Sequence, residues 1–147
     1  MINENLKYQE RLTKKLDAFS GRYMSNSKWT KLFSALSGHH EVIRKCFIKN
    51  VGDNVLREIC IPPIHKYSET FNEKGINDVM TGGPLTFKEI EWVEFPSNWT
   101  INRPMGQLML EPFTYHQDKS EINNKVAGIG ELEIELTPEK LIIYGYK

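Results

Sequence analysis

Three observations predict an α+β fold in which N-terminal helices pack on a mostly antiparallel sheet within a single domain. The apolar period is helical as far as Leu36 and close to two residues in the runs Val42–Ile48 and Val55–Ile61, with further strand signals at Phe87–Phe95 and in the terminal hairpin. The strand-like runs are joined by short turns, whereas a parallel sheet would place a helix between each pair. The chain of 147 residues, 39% apolar with 3 Trp, 6 Tyr and 7 Phe, is long enough to bury roughly 70% of its unfolded surface without a disulfide or metal.

Between Asn3 and Phe19 the residues Tyr8, Leu12, Leu16 and Phe19 fall on one helical stripe, with Arg11, Lys14 and Lys15 outside it, and Ser20-Gly21 ends the helix. Ser25-Asn26-Ser27 offers N-cap side chains just before Trp29, Leu32, Phe33 and Leu36, an i, i+3, i+4, i+7 set. Gly38 is the natural stop. Val42–Ile48 and Val55–Ile61 then read as a hairpin about Gly52-Asp53-Asn54, ended by Pro62-Pro63. Cys46 and Cys60 lie almost symmetrically about that turn and read as small apolar residues, with a redox or metal pair as the alternative. Ile64 to Pro84 has no sustained period and reads as a long loop with one helical turn. Loops of that length are uncommon, so it is either a binding element or conceals a regular one.

Phe87 to Phe95 is the next strand, stopped by Pro96, with Trp92 expected beneath a helix. Asn98 to Tyr115, interrupted by Pro104 and Pro112, is left open between strand and short buried helix. Asp118-Lys119-Ser120-Glu121 starts a helix carrying Ile122, Val126 and Ile129. Leu132–Leu136, a Thr137-Pro138-Glu139-Lys140 turn and Leu141–Tyr146 form a terminal hairpin.

Nineteen basic and nineteen acidic residues cancel, which disfavours a general nucleic-acid binder. The cancellation conceals a polarity. Residues 1–50 carry 10 Lys/Arg against 4 Asp/Glu, and residues 51–147 carry 9 against 15. Alternation along the last hairpin puts Glu131, Glu133 and Glu135 on one strand face, and Glu89, Glu91 and Glu94 form a second acidic group. These are either solvated faces of amphipathic strands or an acidic patch that steers a basic partner. Trp99, in a polar stretch, and Tyr115 are candidate aromatic anchors.

Chemical motifs are scarce. No zinc spacing, Ca²⁺ loop, nucleophile elbow or phosphate-binding glycine loop occurs, so neither cofactor nor metal is expected. His65 and His116, the latter two residues from Asp118, supply the alternative reading of a small enzyme or metal-dependent hydrolase. With two cysteines, no basic segment leading into an apolar run at the start, and no apolar stretch approaching the roughly 20 residues of a membrane span, the chain is expected to be cytoplasmic, as a monomer or homodimer.

Ser25-Asn26-Ser27-Lys28-Trp29-Thr30-Lys31-Leu32-Phe33, Glu89-Ile90-Glu91-Trp92-Val93-Glu94-Phe95 and the ending Ile143-Tyr144-Gly145-Tyr146 together resemble an uncharacterised family of small bacterial proteins. That family is built on an Asn-x-Lys-Trp helix, an Ile-Glu-Trp strand and a closing Tyr-Gly-Tyr. The chain departs from it at Val55–Ile61, where a Trp- and Asp-rich strand pair is expected. The resemblance implies a fold and no catalytic residues. Its setting is similar to that of immunity proteins, which neutralise toxins delivered between bacteria, and it implies a protein toxin as partner, basic and nuclease-like in view of the acidic half of the chain.

Overall fold

In the computed structural model, residues 4–43, 45–79, 83–105 and 108–147 are described. Asn3, Arg44, Gly82 and Gln107, which belong to predicted elements or turns, lie outside them. Helices α1 (Glu4–Asp17) and α2 (Asn26–Gly38) come first, and β1 (Cys46–Asn50) and β2 (Leu56–Ile59) come next. A 3-10 turn at Ile64–Lys66 leads into the short α3 (Tyr67–Thr70), then β3 (Gly75–Val79), β4 (Gly83–Thr86) and β5 (Ile90–Pro96). The chain continues through β6 (Asn98–Met105), β7 (Leu108–His116), α4 (Lys119–Val126), β8 (Ile134–Leu136) and β9 (Lys140–Tyr144).

The strands form an antiparallel five-stranded sheet of order β2-β1-β5-β9-β8 and two separate hairpins, β3-β4 and β6-β7. This is the expected α+β arrangement. One face of the large sheet carries Ile48, Val93, Phe95, Leu141 and Ile143, all buried against Trp29, Leu32, Phe33 and Leu36 of α2 and Ile122 and Val126 of α4. Phe33 is the centre of this core, its ring stacked on Trp29 at 5.7 Å, Phe71 at 4.6 Å and Phe87 at 5.7 Å between centroids. Each such side chain contributes about 1.5–3 kcal/mol by leaving water.

Local chemistry explains the helix ends. The Ser25 hydroxyl accepts the Lys28 N–H at 3.1 Å, and Asp118 accepts from Ser120 N and Glu121 N at 2.9 and 3.2 Å. Among its described side chains, helix α1 buries only Leu12. Its Lys15 ammonium donates to the Gly52 carbonyl at 3.1 Å, and Phe19 just beyond it stacks on Tyr146 at 5.3 Å.

Six expectations are corrected. The first strand begins at Cys46, because Val42 is held in a turn by its N–H bond to His39 O. Cys46 faces Ile59 across the ladder and is buried, while Cys60 is exposed, so the register separates the two thiols. The supposed loop from Ile64 to Pro84 holds α3, β3 and the start of β4. A Cβ at Gly75 would sit 2.1 Å from Leu85 O, so this glycine allows the close strand approach that its sequence context disguised as loop.

Glu89 lies in a 3-10 turn (Phe87–Glu89) and not on a strand. β8 covers only Ile134–Leu136, so Glu131, Glu133 and Glu135 do not share a strand. The end of β9 turns elsewhere: Gly145 N and Tyr146 N bond to Glu91 O, and Tyr146 bridges to Arg22, leaving nothing to extend the ladder opposite Glu131. Trp92 points away from the helices, because its neighbour Val93 occupies the core face. The open stretch 98–115 is the β6-β7 hairpin, a two-stranded arm in which both strands are edges and therefore accommodate Pro104 and Pro112.

Candidate protein-binding surface

The face of the large sheet opposite the core is a mosaic of rings, ammonium groups and carboxylates. The register lines up Glu58, Phe47, Glu94, Ile142 and Glu135 in one row, and Leu56, Lys49, Trp92 and Tyr144 in the next. A bulge between Lys49 and Asn50 brings Glu91 to Lys49, whose ammonium lies 3.2 Å from that carboxylate and 5.5 Å from the centroid of the Trp92 ring. Glu94, 5% exposed, is paired with Lys140 at 3.4 Å and accepts the Trp92 indole N–H at 2.9 Å. Lys45 pairs with Glu58 at 3.2 Å, and Lys147 with Glu133 at 3.3 Å.

Four of the six acidic residues singled out in the sequence, Glu91, Glu94, Glu133 and Glu135, meet on this face. Glu135, Glu91 and Glu133 all act on Tyr144, whose hydroxyl donates to Glu135 Oε2 at 2.6 Å. Burial first, then these carboxylates, push the Tyr144 phenol up to about 12. The other two are elsewhere. Glu131 is exposed in a depression shared with Arg22, Tyr23 and Lys28, and Glu89 accepts the Tyr8 hydroxyl beside α1. With Glu91 and Glu133 matched to lysines, this face is a charge-balanced surface and not a bare acidic patch.

The predicted aromatic anchors are adjacent. Trp99 on β6 and Tyr115 on β7 are cross-strand partners, half-buried and stacked at 5.7 Å with 10° between their planes. Phe113, 47% exposed, meets Tyr115 edge-on at 4.7 Å. The base of the arm is fixed by Gln117. Its side chain accepts Lys45 N–H at 3.1 Å and donates to Lys45 O at 2.9 Å and Pro96 O at 2.6 Å, while its backbone N–H bonds to Ser97 O at 3.0 Å.

Beside this base lies a groove of about 470 Å³ lined by Phe113, Thr114, Tyr115, His116, Gln117 and Asp118, by Glu41 and Val42 opposite, and by Glu121. Three carboxylates and no Lys or Arg line it among the described residues. The nearby Lys119 ammonium is drawn off to the carbonyls of Thr137 and Pro138. Sequence reasoning named Tyr115 here but missed Glu41 and Glu121, which come from elements distant in the chain. The Asp118–Glu121 helix start was the only available signal.

His116 lines the groove, whereas His65 is in the 3-10 turn after β2, exposed and not among the groove residues. Among the described residues no group of three or more His, Cys, Asp or Glu side chains is arranged to hold a metal ion, and no helix is long and apolar enough to cross a membrane. Burial pushes the Cys46 thiol well up, with Glu94 and Glu58 adding to the effect, so it stays protonated and unreactive at neutral pH. No family model, curated protein or solved structure matches the chain.

Proposed function

We propose that this chain is an immunity-type binding protein of the bacterial cytoplasm, which neutralises a cognate toxin by direct binding. The single observation that carries the reading is the juxtaposition of the Trp99, Tyr115 and Phe113 rings with a groove lined by Glu41, Asp118 and Glu121. Rings supply contact area at low entropic cost, and carboxylates with no Lys or Arg among the described lining residues favour a basic partner and speed its encounter. A nuclease-like toxin, basic because it must hold nucleic acid, has the complementary surface. The likeness to small bacterial proteins of immunity-like setting supports the same reading.

The test is co-expression with the product of the adjacent reading frame, which the proposal expects to be a toxin. Protection of the host and a one-to-one complex are expected, with toxin activity falling linearly to zero at one equivalent of this chain. Absence of both complex and protection would remove the reading.

A second reading draws on the same groove, because His116 there stands with Glu41, Asp118 and Glu121, a set able to move protons. Titration separates the two. Inactivation of many equivalents of toxin by one of this chain would identify an enzyme, and a His116→Ala variant would then lose it.

A further inference from the structure

The groove beside the arm runs along a strand edge. Five consecutive residues, Phe113 to His116 of β7 and the following Gln117, line it, so side chains of both parities contribute, and none of Asn98, Trp99 and Thr100, the cross-strand partners of His116, Tyr115 and Thr114, is among the groove residues. Among the described strands, β7 pairs with β6 alone. The groove therefore lies on the flank of β7 that β6 leaves open, where alternate N–H and C=O groups of an antiparallel strand point outward. Glu41 and Val42, Asp118 at the cap of α4 and Glu121 in its first turn complete the lining.

We propose that an extended segment of a protein partner adds to this edge as a further strand, and that the segment carries Lys or Arg at alternate positions. The proposal rests on the groove being the partner site. Backbone hydrogen bonds to β7 supply affinity in any such strand addition, and the side chains beside it supply selection. Here the selection is for cations. Glu41, Asp118 and Glu121 face the segment without a Lys or Arg among the described lining residues, and the Phe113 and Tyr115 rings accept the stem and charge of a basic side chain. An acidic segment would meet repulsion, and a second copy of this chain would bring the same carboxylates against these.

The probe is the hexapeptide acetyl-Arg-Val-Arg-Thr-Arg-Val-amide, titrated into the ¹⁵N-labelled full chain. The expected result is saturable movement of the Phe113–Gln117 amide signals and slowed exchange of alternate amides among them. Replacing arginine by glutamate in the peptide, or methylating its alternate peptide nitrogens, is expected to weaken binding at least tenfold. The double variant Glu41→Lys with Glu121→Lys, both exposed and so expected to fold, is expected to do the same while signals elsewhere stay in place. Strand addition is overturned if the 113–117 signals do not move, if the glutamate or N-methyl peptide binds as well, or if the signals move with protein concentration alone, which would indicate β7 pairing between copies. Failure of the peptide while the toxin domain still forms its complex removes strand addition and leaves the proposed function. Peptide addition without a toxin complex does the reverse.

Discussion

Gln117 shows how much a single side chain can hold in place. Its amide meets two carbonyls and one N–H from segments 72 and 21 positions away, at only 8% exposure. Gln117→Leu keeps the volume and leaves those partly buried groups without these partners, so a loss of about 2 kcal/mol is expected, read as a lower urea midpoint at unchanged slope. Tyr144 gives a pH signature. Its phenol, raised from 10.0 to about 12, keeps its proton in the folded chain where the unfolded chain has lost it. Its contribution to stability is thus complete below pH 10 and declines as pH rises through pH 10 to 12. Urea midpoints at about pH 9 and about pH 11.5 are expected to differ less in Tyr144→Phe than in the parent. Tyr8, Tyr67 and Tyr146 are also raised, chiefly by burial, so a residual alkaline decline remains. None of this was legible in the sequence, since no local pattern says which glutamate a tyrosine will meet.

At the scale of elements, the parts specified by local chemistry were legible. Helix α2 and the start of α4 arise from Ser25 and Asp118 as caps and from the Trp29-Leu32-Phe33-Leu36 and Ile122-Val126 stripes. What escaped was set by partners far along the chain. The end of β9 is decided by Glu91 and Arg22, and the arm is decided by register, not by a clear two-residue period. The closing Tyr-Gly-Tyr has its reason here too. A Cβ at Gly145 would sit 2.5 Å from Ile90 O and 3.0 Å from the Trp29 ring, so the glycine lets β9 end against β5 over the helix anchor. Gly145→Ala is expected to cost roughly 1–3 kcal/mol through overpacking, measured by denaturant titration.

Over the whole molecule, the formal charge of zero breaks into surfaces of different character. The open sheet face matches its lysines to its carboxylates, a pattern that gives little net field beyond a Debye length, whereas the arm groove keeps three carboxylates without a matching cation among the described residues. The acidic half was visible in the sequence, but which acids are neutralised depends on cross-strand neighbours such as Lys49 and Lys147. The proposed site therefore lies on the arm and not on the terminal hairpin, keeping Trp99 and Tyr115 and gaining Glu41 and Glu121. Amide hydrogen exchange of this chain, alone and with the proposed toxin partner, locates the interface directly. Slowed exchange concentrated in residues 113–121 and around Glu41 is expected, whereas protection confined to α1 or to the sheet face about Tyr144, with the arm and groove unchanged, would contradict the assignment of the binding surface.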